Sequence, residues 1–291
     1  MDATNRPSSE APPCPVCGGR RFRRLFVKHR RQFWRCRDCC LQRVFPLPSE
    51  GALRSYYDGS YRRAAYKEFA AATEMKRLTA QRRLAGIMPY YRGGRWLDVG
   101  CSNGIFVRVA AERGMRAEGI DFSQAAVELA RQQQLPVSCS TVEEFRPEHR
   151  FDTLTGFDVL EHVVDPPAFL AAAHRLLVSG GTLALSLPNL RSLSRMLMRR
   201  CWYFYNAEEH LHYFNPSTIR RLLARSGFDV LRCRGVCKPL TFDYALIQLR
   251  DHNPAISAAL AVLGKLLPRP IRRTTIPVPI GEMTVIAKRE D

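Results

Sequence analysis

Cysteines are the residues of this chain with the most legible chemistry. Cys14-Pro15-Val16-Cys17 and Cys36-Arg37-Asp38-Cys39 are two C-x2-C pairs with 18 residues between them. Each pair lets two thiolates converge on one ion, and two pairs complete a tetrahedral four-sulfur shell of the kind that suits zinc. A closed shell leaves no position for a substrate. The expected role of Cys14, Cys17, Cys36 and Cys39 is therefore structural: Zn2+ folding a small ribbon over residues 14–45, with the downstream core independent of it. Four unrelated thiols and a redox role are the competing readings, and Cys40 reads as a bystander.

A different chemistry lies downstream. In LDVGCSNG, residues 97–104, a strand signal ends in a turn bearing Gly100 and Gly104 and runs directly into a helix signal. Glycines let backbone approach a ligand at the carboxyl ends of strands, where open α/β sheets bind theirs. The dinucleotide fingerprint G-x-G-x-x-G is absent, because Ser102 stands at the middle glycine. Asp121 follows 21 residues after Gly100, at the end of the next strand signal, where a carboxylate can accept two hydrogen bonds from a ribose diol. Glu161-His162, after a further strand, is the best-placed acid–base pair, with helix capping and packing as the plain alternative. His210 and His212 could serve a second metal, but no third ligand is evident, so lining or packing is expected. Tyr56, Tyr57 and Tyr61 cap the ligand from the preceding segment or simply pack.

The elements that must position these groups follow from pattern. Residues 1–13 are polar and Pro-rich, expected as a disordered tail. Residues 46–94 read mainly as helix, with Phe69, Ala72, Met75, Leu78, Ala85 and Met88 at roughly helical spacing. From Arg95 strand and helix signals alternate: RWLDVG, RAEGIDF, PVSCST, FDTLTGFDVL, TLALSLPN, FDVLRCRG and EMTVIAKRE are seven strands. That alternation implies βαβ units and a parallel sheet. Ser123 is placed to cap one helix, Pro166-Pro167 to open another that Gly180-Gly181 close, and Asn215-Pro216 to open a third that Gly227 ends.

The run LDVGCSNGIF, then GIDFS, FDVLEHVVDP and LLVSGGTLALSLPN, resembles class I S-adenosylmethionine-dependent methyltransferases of the ubiquinone-biosynthesis-like group, over about residues 95–235. EEHLHYFNPSTIRRLLARSGF, residues 208–228, resembles the segment such enzymes carry after the fifth strand. The resemblance implies a Rossmann-like, seven-stranded doubly wound sheet with one antiparallel strand, here preceded by a small zinc ribbon. On it, residues 95–291 form the catalytic domain, with lid-like insertions at 190–215 and 239–280. It implies S-adenosyl-L-methionine as cofactor, with Asp98, Gly100, Cys101 and Gly104 around its methionine part, Asp121 and Phe122 at the ribose, and Gly156, Phe157 and Asp158 beneath the sulfonium. Related sugar C-methyltransferases with an N-terminal zinc module use an equivalent Glu-His pair as base, which carries that role to Glu161 and His162. Where relatives often have an acidic residue facing adenine, this chain has Ser140-Thr141, so no adenine contact is carried over.

The net charge of +18 is uneven: +13 over residues 1–94, −4 over 95–190 and +9 over 191–291. A positive field favours anionic partners without choosing among them. LRSLSRMLMRRCWYFY, residues 190–205, interleaves Arg with Leu, Met and aromatics, as does 239–275; such segments form lids or lie on anionic membrane. With no signal-like segment and no apolar run of spanning length, the expectation is a cytoplasmic protein, peripheral to the inner face of the membrane. The expected reaction is methyl transfer (O- or C-methylation) to a small-molecule, sugar or lipid-linked acceptor. The alternative is an RNA methyltransferase using the arginine-rich ribbon on phosphates, as some rRNA guanine methyltransferases place a ribbon before their core. A third reading is a non-enzymatic adaptor.

Overall fold

The computed structural model describes residues 12–28, 30–62, 73–246, 254–265, 267–268, 271–272 and 274–291. Residues 1–11 of the expected N-terminal tail, Phe69 and Ala72 lie outside them, as does the side chain of Tyr61, whereas Pro12 and Pro13 are described and accept hydrogen bonds from Arg43. In chain order the elements are β1 (Phe22–Lys28), β2 (Arg31–Cys36), β3 (Gln42–Phe45), α1 (Glu50–Arg62), α2 (Thr73–Ile87), β4 (Arg95–Val99), α3 (Ile105–Ala111), β5 (Arg116–Asp121), α4 (Gln124–Arg131), β6 (Val137–Cys139) and β7 (Phe151–Phe157). There follow α5 (Pro166–Leu176), β8 (Leu177–Pro188), α6 (Leu193–Met198), β9 (His212–Tyr213), α7 (Pro216–Arg225), β10 (Phe228–Leu240), α8 (Pro254–Lys265) and β11 (Ile276–Arg289).

Seven strands form one sheet in the order β10-β11-β8-β7-β4-β5-β6. β4 pairs in parallel with β5 and β7, β5 with β6, and β7 with β8, while β11 runs antiparallel to both its neighbours. This is the doubly wound sheet with one reversed strand that the sequence implied. Four of the five residues of β4 are buried, as a central parallel strand covered on both faces requires. The order of β4 reverses between β5 and β7, so the carboxyl end of β4 is a topological switch point, where open α/β sheets hold ligands.

Local chemistry sets the helix starts. Ser123 accepts from the Ala126 amide and Asp165 from the Ala168 amide, with Pro166 in the first turn. Asn215 and Thr218 form a reciprocal capping box ahead of α7. Two details depart from the sequence expectation. α5 ends at Leu176, and Gly180-Gly181 lie inside β8, where its pairing with β7 jumps from Phe151–Leu177 to Thr153–Thr182; the glycines serve a strand irregularity rather than a helix end. In α2 the buried stripe is Ala80, Leu84 and Ile87, whereas Ala85 and Met88 are exposed. An Arg-rich helix has too few apolar residues for spacing alone to choose its inner face.

The N-terminal ribbon is not a detached bead. β1, β2 and β3 form an antiparallel sheet whose fourth strand is β9, contributed from the 190–215 insertion. Val16, Phe22, Trp34, Leu41 and Phe45 pack into the same core as Leu170, Leu222 and Leu223. The other ribbon face, with Phe33 and Val44, packs on Trp202, Phe204, Tyr205 and Tyr213. β10 and β11 pair as far as Leu240–Ile276, so the core hairpin reaches into the 239–280 insertion.

Candidate active site

The turn after β4 has three left-handed residues within five positions, with φ of 69° at Gly100, 53° at Ser102 and 77° at Gly104. Only glycine adopts that conformation without strain, and a Cβ at Gly104 would stand 2.5 Å from the Leu135 side chain. The Gly100 and Cys101 amides both donate to the Ile120 carbonyl, at 2.8 and 3.1 Å, which ties the turn to the end of β5. Asp121 faces it from there. Its carboxylate accepts from the Ser102 amide at 2.8 Å and the Ser123 amide at 2.9 Å, leaving lone pairs on both oxygens for a diol. Burial pushes Asp121 above the usual carboxylate range, against the pull of those two amides.

Asp98 is 4 % exposed and accepts from the Thr155 hydroxyl at 2.6 Å. Burial raises its carboxyl to about 7, with Thr155 and Arg83 opposing. Cys101 turns its thiol inward, against Gly119, where it also donates to the Ser102 carbonyl at 3.8 Å. Gly156 lies under Leu185 and Phe169, and the Phe157 ring sits beneath the Arg83 guanidinium at 4.6 Å. Phe122 packs edge-on against Tyr57 at 5.2 Å. α1 closes this end: Asp58 accepts from the Ser123 hydroxyl at 2.7 Å and Tyr56 donates to Glu209 at 3.0 Å.

Asp158, just beyond β7, has a φ of 57° and lies in an ion-pair group that sequence reasoning missed. Arg83 donates to it at 2.6 Å, and Ser186 at 2.8 Å. Lys238 lies 3.6 Å away and pairs closely with buried Glu282. Burial alone would raise Asp158, but Arg83 and Lys238 hold it well below the usual range. No sequence signal marks Arg83 or Lys238, since each is one cation among 45.

The Glu161-His162 pair lies at the opening of the turn region that follows β7. Glu161 is 1 % exposed, its Oε2 has no hydrogen-bond partner among the described residues, and burial with Asp158 nearby pushes its carboxyl well up. His162 Nδ1 is 2.6 Å from the Tyr57 hydroxyl, and burial beside His210 lowers the imidazole to about 3. His210 and His212 do not come together as a pair; donor atoms of Glu161, His162 and His210 instead lie within 4.8 Å of one another, a grouping that could hold a metal ion. His210 donates from Nδ1 to the Phe204 carbonyl at 2.8 Å, an orientation common to metal-binding histidines. His212 faces elsewhere, with Nε2 3.3 Å from the Val164 carbonyl.

The four ribbon cysteines converge as their spacing implied. Cys14 and Cys39, and Cys17 and Cys36, have sulfurs 3.5 Å apart, and all four lie within 4.8 Å of one another. A tetrahedral zinc with bonds of about 2.3 Å sets its sulfurs about 3.8 Å apart, so the shell fits the ion. Cys40 stands outside it, accepting from Arg35 at 2.9 Å.

A family model described as "Methyltransferase domain" matches residues 66–232, more than half of the chain. The chain belongs to this methyltransferase family. It is 30% identical over 186 residues to a ubiquinone biosynthesis O-methyltransferase of Aromatoleum aromaticum, covering 58% of this chain and 79% of that one. A protein of the same name from Pseudomonas aeruginosa is 37% identical over 177 residues, covering 55% and 76%. Among solved structures, the 1,6-didemethyltoxoflavin-N1-methyltransferase of Burkholderia thailandensis, with its substrate and S-adenosylhomocysteine bound, superposes with a TM-score of 0.54 at 17% identity, covering 92% of this chain and 99% of that one. At that identity the likeness shows the fold. The methyltransferase is thus an S-adenosylmethionine-dependent enzyme, and its left-handed turn and the buried carboxylates of Asp98 and Asp121 have the chemistry that a methionine ammonium and a ribose diol require. The ribbon precedes the matched region and is an addition to it.

Proposed function

We propose that this methyltransferase transfers the methyl group to a hydroxyl of a small or lipid-linked acceptor, at the carboxyl edge of β4 and β7. The observation that carries the reading is the juxtaposition of the Gly100–Gly104 turn and Asp121 with the Glu161, His162 and His210 group beyond β7. The named relatives are ubiquinone biosynthesis O-methyltransferases, which supports oxygen as the target.

Bound in the turn, S-adenosylmethionine supplies a carbon already activated by its sulfonium. The chain's own work is alignment, exclusion of water and management of one proton. Asp121 orients the ribose, and α1 covers the site through Tyr57 and Asp58. The acceptor hydroxyl must release its proton as its oxygen bonds the methyl carbon. Burial keeps His162 neutral, which leaves one ring nitrogen able to take up that proton but makes the imidazole a weak base, while the Tyr57 hydroxyl 2.6 Å from Nδ1 orients the ring. The same three groups have the spacing of a divalent-cation site, and an ion there would lower the acceptor hydroxyl's pKa to the same end. In the ribbon, Cys14, Cys17, Cys36 and Cys39 would hold a structural Zn2+.

The membrane reading has its own observation. Leu193, Met196 and Leu197 of α6 are 66%, 60% and 74% exposed, beside Arg191, Arg199 and Arg200, all exposed. An apolar tip ringed by cations fits an anionic bilayer surface and delivery of a lipid-linked acceptor. No helix among the described residues is long and apolar enough to cross a membrane. Nothing observed favours RNA as acceptor, and an adaptor without catalysis does not account for the Gly100–Gly104 turn set against Asp121.

Calorimetry with S-adenosylmethionine tests the core of this reading. Binding is expected for the parent and a loss of at least tenfold for Asp121→Ala; a parent that binds no cofactor would refute it. Labelled-methyl transfer to lipid, glycan and RNA fractions then identifies the acceptor, and label in RNA alone would reverse the choice made here.

A further inference from the structure

One buried charge takes no part in the site described above. Arg43, in the middle of β3, is 1 % exposed. Its guanidinium lies 4.3 Å from the Phe45 ring centre and 5.8 Å from that of Phe22. Nη1 donates to the Pro12 and Pro13 carbonyls at 3.2 and 3.1 Å, while Nε has no hydrogen-bond partner among the described residues. No carboxylate among them pairs with it; the Phe22 and Phe45 rings that it covers lie in one buried cluster with Cys14 and Cys36, and Pro13, whose carbonyl it binds, directly precedes Cys14. A buried cation needs a counter-charge. Four thiolates around one divalent ion carry a net charge of −2, so a loaded four-cysteine site supplies what Arg43 otherwise lacks.

Arg43 also stands at a junction. In the β3–β9 pairing it is opposite His212, and Gln42 is opposite Tyr213. Val44 donates to the Leu211 carbonyl at 3.0 Å, and the Gln42 side chain accepts from the Tyr205 hydroxyl at 2.8 Å. On its other side this segment is docked on the active site, because the Leu211 and His212 amides both donate to the Glu161 carbonyl, at 2.8 and 3.0 Å. The segment is thus held between the ribbon and Glu161. His210, one residue before Leu211, reaches the Glu161 and His162 donor atoms.

We propose that Arg43 is a positioning residue that couples metal occupancy of the four-cysteine site to the placement of His210 against Glu161 and His162. The loaded site anchors Arg43, Arg43 holds β3 in register with β9, and β9 sets the histidine. Metal loss releases β9 while the cofactor cradle, built on β4 and β5, stays intact. The inference rests on the methyltransferase reading of the site, but its test does not need the acceptor.

The full chain is loaded with zinc, then stripped with a chelator under reducing conditions. Amide exchange, the ring resonances of His162 and His210, and calorimetric affinity for S-adenosylmethionine are followed. Stripping should cut protection at Val44, Leu211 and His212 at least tenfold and shift both histidine rings. Protection in β4 and β5 and cofactor affinity should stay within twofold, and zinc should reverse every change. In Arg43→Met the metal dependence of β9 protection should shrink below twofold. Unchanged β9 protection in fully stripped protein overturns the proposal, as does a uniform loss across β4, β5 and β9, which would make the ribbon plain structural support. Should Arg43→Met not fold, Gln42→Met, which cuts only the tie to Tyr205, replaces it: weakened coupling is expected, and an unaltered metal response counts against the proposal. A zinc-loaded parent that binds no cofactor would sink the functional reading alone.

Discussion

Asp98 shows how a single buried side chain links stability to ligand binding. Its carboxyl is raised by burial to about 7 in the folded chain, so the native state keeps a proton that the unfolded chain has already lost above about pH 4. Stability from this group therefore falls as pH rises from about 4 to about 7, by up to about 4 kcal/mol. Asp98→Asn should remove that slope and melt above the parent at pH 8, with the difference shrinking at pH 5. The parent's affinity for the cationic cofactor should rise with pH through about 7 as Asp98 ionises, and the variant should not follow; parallel affinity profiles would contradict the account. His162 belongs to the same scale. His162→Ala should lower turnover at least a hundredfold, within the usual range for a general base, with cofactor affinity within twofold. Near-normal turnover would remove it from the mechanism. Both residues were visible in the sequence because each ends or follows a strand in a motif. Arg83, Lys238 and Glu282 were not, since their partnership joins a helix to the β10–β11 hairpin.

At the scale of elements, the most legible features were those governed by neighbours in the chain. Ser123 and Asn215 cap their helices as their types predict, because a cap is a contact across two or three residues. Asn215 is also 7 % exposed and satisfies two amides of α7, directly after β9. Asn215→Ala should cost about 1–2 kcal/mol in denaturant unfolding, and a change under about 0.3 kcal/mol would mean that the capping box contributes little. The inner stripe of α2 is Ala80, Leu84 and Ile87, which its own apolar spacing does not single out. Its register is set by Trp96 and Phe106 packing from distant strand and helix rather than by its own spacing. Gly180-Gly181 have the local signature of a helix stop, but the pairing of β8 with β7 places them in the strand.

For the molecule as a whole, charge and exposed apolar surface converge on one flank. The ribbon's basic strands adjoin the α6 region, where Arg200 stands 5.8 Å over the Phe26 ring. Cosedimentation should therefore show binding to anionic vesicles and none to neutral ones, weakening at least tenfold in Leu193→Glu/Leu197→Glu. Equal binding of parent and variant would leave α6 as a lid only. By itself, the sequence determined the sheet and its order of elements, the cofactor turn with Asp121, and the four-cysteine shell. The alternation of elements is written in periodicity, the turn and each C-x2-C pair in spacings of a few residues, and the longer gaps, 18 residues between the cysteine pairs and 21 from Gly100 to Asp121, are each one supersecondary unit. Only the tertiary structure decided that His210 joins Glu161 and His162, that Arg83 and Lys238 surround Asp158, and that the ribbon's third strand pairs with β9. Those contacts span some 50 to 170 residues of chain. Burial and backbone pairing select them from many chemically equivalent partners, and no local pattern records the choice.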